Sequence, residues 1–398
     1  MKKNVIDERL IIVSSFISFL GNGMQFIALS WLVYKITNSS SSVGILVLCE
    51  TIPGIFISPI AGALVDRYNK KFLIVSMDII RGLVIIPLII LISNHHIDVI
   101  YIYIIAILIT ICSNFFYPAL SGMIKETIPE ERISILMSKN GSSLQLGMII
   151  GSGLAGVFLS KYGLVYVLFF NFLSYIISAI ILLFISKHEY KNRKRSVDFH
   201  LFSDIKEGIK ILLLEKQLIF LIIIGLSTGC ATNVINISLS SFTSDTLKLS
   251  VKEYGILDAS FAVGSLLAGI SLAYFKILNK ELFLLRIGII FMLIGSLLIS
   301  ILSSYYFSLV GLFVIGIGSM LEAIHRRSLV IKKTPSEYIG RIESLNWVIY
   351  STMSPIFAII LSIISDKTTS IFSFYALSVF LLLIYLYSNK IKNFEAHK

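Results

Sequence analysis

Twelve apolar runs, each long enough to cross a lipid bilayer, dominate this chain and leave little room for anything else. They lie at about 10–34, 42–65, 72–93, 99–118, 136–160 and 164–186, then at about 217–242, 251–275, 282–303, 305–325, 343–364 and 370–388. A spanning helix needs roughly 20 apolar residues, so these runs use most of the 398 residues. The composition agrees: 56% of residues are apolar and 14% charged, with a mean hydropathy of +0.89. A soluble domain would carry roughly a quarter charged residues. The sequence therefore predicts an all-α membrane protein of twelve transmembrane helices, with the bilayer as its solvent.

The formal charge of +11 would suggest nucleic acid in a soluble protein. Its placement suggests topology instead. With both termini inside, 27 of the 34 Lys and Arg residues fall on the cytoplasmic side. The outer loops hold five, Lys35, Lys161, Lys248, Lys252 and Lys367, while Arg81 and Arg286 lie within spans. Such asymmetry is the positive-inside signal, and the excess charge also attracts anionic inner-leaflet lipid. No nucleic-acid partner is needed to explain it. The first residues, MKKNVIDERL, lead into a long span without a small-residue cleavage site and read as a retained cytoplasmic end. Cys49, Cys112 and Cys230 sit singly in apolar runs, with no metal-ligand spacing. Neither a metal nor another cofactor is expected.

The polar stretch between Lys187 and Lys216 divides six spans from six. Three segments follow: a bundle over 1–188, a cytoplasmic linker over 189–216 and a second bundle over 217–398. Within the linker, Phe202, Ile205, Ile209 and Leu212 or Leu213 recur at helical spacing opposite Asp204, Lys206, Glu207 and Lys210. That pattern predicts an amphipathic helix on the inner membrane surface.

The two halves carry traces of duplication. Pro129, Glu131, Ile133, Ser138 and Asn140 match Pro335, Glu337, Ile339, Ser344 and Asn346 at one constant offset. Asn22 and Gln25 match Asn233 and Asn236 with the same spacing, and Ala61-Gly62 matches Ala268-Gly269. Parallel six-helix repeats are an arrangement that alternating access uses, one bundle rocking against the other.

Between the second and third spans stands GALVDRYNKK, residues 62–71. Gly62 permits close helix approach, and Asp66 sits beside Arg67 at a basic turn. The segment resembles the signature G-x-L-x-D-R-x-G-R-K of the major facilitator superfamily, with Asn69 in place of its second glycine and Lys70 in place of its arginine. In the second half Gly269 remains, but Ala273 stands where Asp66 would be. The stretches SGMIKETIPEERISILMSKNGSS and FSDIKEGIKILL are similar to the branch of that superfamily containing macrolide exporters and the enterobactin exporter. The resemblance covers nearly the whole chain and implies the major facilitator fold, two pseudo-symmetric six-helix bundles. It implies that Gly62, Asp66, Arg67 and Lys70 form a gating latch, to which Asp78 and Arg81 of the third span would be joined. It also implies a substrate cavity lined by spans 1, 4, 7 and 10, with Asn22, Gln25, Asn114, Tyr117, Asn233 and Asn236 as its polar lining. Those uncharged groups suit a bulky amphipathic molecule better than a small anion. In the fifth span GMIIGSGLAG is similar to the glycine-rich antiporter motif of drug exporters, although Ser152 replaces its proline. Gly147, Gly151, Gly153 and Gly156 also serve plain helix packing.

An ionisable group inside a span is costly and marks a candidate site. Glu50 lies about nine residues into the second span from outside, and Asp258 about eight into the eighth. Either could exchange a proton as access alternates, hold a cationic substrate, or pin helices together. Asp78 and Arg81, and Glu322 and Arg326, read as local pairs near the cytoplasmic ends of their spans, with His325 beside the latter and Arg286 snorkelling to the inner surface.

These features predict a monomeric secondary transporter of the bacterial cell membrane, exporting an amphipathic small molecule such as a macrolide-like drug or siderophore-like metabolite, with a proton as coupling ion. An importer of a nutrient is the alternative within the class. A multi-pass membrane enzyme would need a polar catalytic loop, for which His95-His96-Ile97-Asp98 is a poor candidate. Export by ATP hydrolysis would need a phosphate-binding glycine loop, which this sequence does not display.

Overall fold

The computed structural model describes residues 2–65, 68–94, 97–186, 215–274, 281–334 and 339–389. Among these residues it contains twelve helices long and apolar enough to cross a membrane, and no strand. They are α1 (Lys2–Thr37), α2 (Ser40–Val65), α3 (Lys70–Ser93), α4 (Val99–Thr127), α5 (Glu130–Tyr162) and α6 (Leu164–Leu183). After the central segment come α7 (Lys216–Ser241), α8 (Val251–Tyr274), α9 (Glu281–Leu302), α10 (Tyr305–Lys333), α11 (Ile339–Lys367) and α12 (Phe372–Asn389). Only helices and closed barrels satisfy every backbone polar group inside lipid, so an all-helical answer is forced.

Several helices outrun the apolar stretches that announce them. α4 continues to Thr127 and α10 to Lys333, each by about two turns beyond its hydrophobic run. Hydropathy sees only the part immersed in hydrocarbon; the backbone goes on helically where the residues turn polar. Local chemistry sets the ends. The Asn69 side chain accepts from the Phe72 N–H (3.0 Å) to cap α3, and Asp98 accepts from the Ile100 N–H (3.1 Å) to cap α4. At the far end of α6, the Lys71 ammonium donates to the Leu183 and Ile185 carbonyls at 2.7 and 2.6 Å.

The described residues fall into two compact units. The first comprises those of Met1–Thr37 and Leu48–Phe199 and the second those of Asn38–Val47 and His200–Lys398. In the first, α1 packs on α5 and α6, and α3 packs on α4 and α6. Helix association in lipid relies on close packing rather than on hydrophobic transfer. The α1–α5 contact shows this: a Cβ on Gly151 would lie 2.1 Å from the Leu20 carbonyl oxygen, and one on Gly147 would lie 2.6 Å from that of Phe16. Of the four glycines singled out in α5, these two make the backbone approach; Gly156 is buried and Gly153 half-buried. In the second unit α10 packs on α9, α8 and α7, while α12 packs on α9 and α7. Here Gly316 meets the Phe261 carbonyl oxygen, 2.0 Å from an added Cβ. Residues 38–47 group with this unit, and the Asp366 carboxylate accepts from the Ser40 and Ser41 N–H groups at 2.7 and 3.0 Å.

The amphipathic linker read over 189–216 lies outside the described residues, apart from Glu215 and Lys216. So do Asp66, Arg67, His95 and His96.

Candidate functional site

In the first unit the polar side chains converge on α6. Asp78 and Arg81, one turn apart on α3, form an ion pair with both side chains fully inaccessible. The other oxygen of Asp78 accepts from the Ser178 hydroxyl of α6 at 2.7 Å. The guanidinium of Arg81 lies between two rings, 4.3 Å from the centroid of Phe116 and 4.6 Å from that of Tyr175. Its Nε and Nη1 are sealed without a hydrogen-bond partner. The Tyr175 hydroxyl donates to Asn22 Oδ1, and the Asn171 amide donates to Gln25 Oε1. Asn22 and Gln25 of α1 are thus bonded into their own bundle rather than left free.

α3 begins at Lys70, so Arg81 is about 16 Å along the helix at 1.5 Å per residue. Lys70, expected in the gating latch, is buried and bridges to Glu126 of α4 at 2.7 Å, with its stem against Gly122. With Asp66 and Arg67 outside the described residues, and the Gly62 side-chain position undescribed, the latch as a unit is not displayed.

Glu50 sits about 15 Å along α2. It is half-buried, its backbone carbonyl accepts from the Thr110 hydroxyl of α4 at 3.3 Å, and its carboxylate makes no hydrogen bond or ion pair with the described residues. One turn on, Gly54 faces the side-chain amide of Asn114, which donates to the Thr110 carbonyl on its own helix at 2.8 Å. Tyr117 is 40% exposed and packs edge-on against Phe19 and Phe116. Asp258 is half-buried on α8.

In the second unit the charges gather on α10. Arg326 donates through Nε to Glu322 Oε1 at 2.8 Å, and the Thr228 hydroxyl of α7 donates to Glu322 Oε2 at 2.6 Å. Glu322 is fully inaccessible, whereas 9% of the Arg326 side chain stays open. Tyr350 of α11 packs against Gly229 of α7, where an added Cβ would lie 2.8 Å from its Cε2. α10 runs on to Lys333, about 10 Å beyond this pair. Asn233 donates to the Gly229 carbonyl at 3.0 Å and is nearly buried, while Asn236 is half-buried. Arg286 is not snorkelling freely; it donates to the Ser388 carbonyl of α12 at 2.7 Å.

Sequence reasoning passed over Asn171, Ser174, Tyr175 and Ser178, and also Thr228 and Tyr350. In α6 the first four occur at spacings of three and four in an otherwise apolar helix. That polar stripe was the available signal. Nothing in α7 or α11 distinguished Thr228 or Tyr350 from other hydroxyl residues. No cluster of three or more His, Cys, Asp or Glu suited to a metal ion occurs among the described residues.

The profile of the Major Facilitator Superfamily matches residues 11–359. "Macrolide efflux protein A" of Streptococcus pyogenes is 23% identical over 353 residues, covering 88% of this chain and 87% of that protein. The protein of the same name from Enterococcus faecalis is 24% identical over 307 residues, covering 77% and 95%. "Multidrug resistance protein 2" of Bacillus subtilis is 27% identical over 240 residues, covering 57% and 58%. The fold is similar to that of the nucleoside transporter NupG, with a TM-score of 0.75 at 13% identity over 98% of this chain and all of the other. It is also similar to a bacterial homologue of the human lysosomal transporter Spinster, with a TM-score of 0.73 at 14% identity over 96% and 97%. With the profile spanning nearly the whole chain and twelve membrane-crossing helices beneath it, this protein belongs to the Major Facilitator Superfamily of membrane transporters.

Proposed function

We propose that this protein is a secondary active exporter that expels an amphipathic, macrolide-like molecule from a bacterial cell in exchange for protons, with both termini in the cytoplasm. One observation carries the reading: relatives matched over most of their length are named for macrolide efflux. The chemistry of the spans supports the substrate class. Apart from Asn22 and Gln25, which α6 engages, the polar groups at the expected lining positions are amides and a phenol, which can meet ether, hydroxyl and carbonyl oxygens as well as amines. A siderophore-like metabolite fits the same lining.

Coupling is assigned to Glu50. A carboxylate within a span and without a charged partner costs free energy when ionised. Loading with a proton relieves that cost, and release restores it when access changes sides. The resulting cycle needs no ATP. Asp258, at the matching depth of the second half, is the second candidate. The positive-inside distribution of Lys and Arg supports the orientation.

Reconstituted vesicles test this directly. An imposed proton gradient is expected to drive uphill movement of radiolabelled erythromycin, and an uncoupler to abolish it. Glu50→Gln should lose the uphill movement while keeping downhill exchange of labelled for unlabelled compound. Uphill transport that survives both the uncoupler and Glu50→Gln removes proton coupling from the mechanism.

A further inference from the structure

The first unit's buried pair is closed on itself, but the second unit's pair has an open end, and that end has a chemical use. Arg326 spends Nε on Glu322. Its terminal nitrogens, Nη1 and Nη2, donate to none of the described residues, and neither is among the sealed unpartnered atoms. A guanidinium carries five N–H donors in a fixed fork, so four remain on the Nη1 and Nη2 edge. Arginine inside a span faces the bundle interior or a water-filled cavity rather than lipid; Arg81 is sealed in the interior, whereas 9% of this side chain stays open.

Three features hold that edge in place. Glu322, fixed by Thr228, anchors Nε. Gly225 of α7 leaves room for the guanidinium: a Cβ there would lie 2.9 Å from both Cζ and Nε. Tyr350 of α11 packs its ring edge over Gly229, one turn along α7 from Gly225, where an added Cβ would lie 2.8 Å from its Cε2. The arrangement lies wholly within the second unit, on α7, α10 and α11.

The charge balance selects the ligand. Glu322 already neutralises Arg326, so the pair offers little net attraction to an anion. What it offers is directional N–H donors beside a phenol hydroxyl. We propose that the Nη edge of Arg326, with Tyr350, is a substrate-contact site that accepts neutral acceptor oxygens: the carbonyl, ether or hydroxyl oxygens of an amphipathic molecule. This deepens the export reading, on which it rests for its substrate class. The roles divide cleanly. Glu322, Thr228 and Gly225 are positioning residues, and Arg326 and Tyr350 touch the ligand.

Two probes separate acceptor recognition from general affinity. Erythromycin carries a lactone, a ketone and many hydroxyl and ether oxygens; tetraphenylphosphonium is an apolar cation with no acceptor oxygen. Binding of each is measured by calorimetry on purified protein in lipid nanodiscs. Arg326→Lys keeps the charge but removes the fork, Tyr350→Phe removes the hydroxyl, and Gly225→Ala displaces the guanidinium through its flexible end. Arg326→Lys and Gly225→Ala are each expected to weaken erythromycin by about tenfold and Tyr350→Phe by about threefold, the range of one lost hydrogen bond. Tetraphenylphosphonium affinity should stay within about twofold for all three. Should Arg326→Lys fail to yield folded protein, Tyr350→Phe and Gly225→Ala decide the matter together. Erythromycin affinity unchanged in the folded variants, or equal loss for both probes, overturns the site while leaving the export reading intact. A wild-type protein that binds neither probe overturns the export reading, and this assignment falls with it.

Discussion

Each half of the protein buries one acid and one arginine on a single helix, joined to a second helix through a hydroxyl. In the first unit they are Asp78 and Arg81 with Ser178; in the second, Glu322 and Arg326 with Thr228. Similar chemistry has been given different surroundings. Arg81 is capped by the rings of Phe116 and Tyr175 and is wholly inaccessible. Arg326 sits in the space left by Gly225 and keeps part of its side chain open. A sealed pair can only hold helices together. An open pair can hold helices and still present donors to something else.

Breaking the sealed pair from one side should produce the largest effect. Arg81→Met would leave Asp78 buried without a counter-charge, a loss of about 3–5 kcal/mol for such pairs. We expect little folded protein, or a large drop in the unfolding temperature of the purified transporter at a fixed scan rate. Arg326→Met should cost clearly less, because water reaching the open end can relax around Glu322. Equal losses in the two variants would break the distinction between sealed and open.

Removing both charges at once sharpens it. Replacing a buried ion pair by apolar groups of similar volume is often neutral, or stabilising by about 1–4 kcal/mol. Asp78→Leu with Arg81→Met should therefore recover the stability lost by Arg81→Met alone and keep erythromycin binding. Glu322→Leu with Arg326→Met should recover stability too, but without recovering binding. Normal binding in the second double variant would make the open pair as purely structural as the sealed one.

The fold was legible in the sequence because lipid leaves so few choices. A run of 20 apolar residues has one available conformation in a bilayer, and twelve such runs specify twelve helices. The sites were less legible, for two physical reasons. Hydropathy marks where a helix enters polar surroundings, not where its backbone stops. It therefore ends the tenth run at about 325, whereas α10 continues to Lys333. Pairing across helices is also invisible in one dimension. Asn22 and Gln25 read as cavity lining, yet Tyr175 and Asn171 of α6 claim them. Glu50 stands out as a candidate because it is an isolated acid in an apolar run. Ser178 and Thr228 do not, since a single hydroxyl in a span is common and gains meaning only from the carboxylate opposite.

Those two hydroxyls offer the smallest test and the most discriminating one. Hydrogen bonds between membrane helices are worth about 0.6 kcal/mol on average and at most about 1.7 kcal/mol. Ser178→Ala and Thr228→Ala should each destabilise the protein by about that much, since each removes one donor from a fully buried carboxylate. Their consequences for binding should differ. The Asp78 carboxylate that loses Ser178 still faces Arg81 within a closed shell, so erythromycin affinity should stay within about twofold. Loss of Thr228 frees one oxygen of Glu322, which can then turn toward Arg326 and draw its donors inward. The outward edge loses definition, and affinity should fall about threefold, near the low end for one ordinary hydrogen bond. If Ser178→Ala weakens binding as much as Thr228→Ala, the sealed pair communicates with substrate and the two halves are more alike than their burial implies.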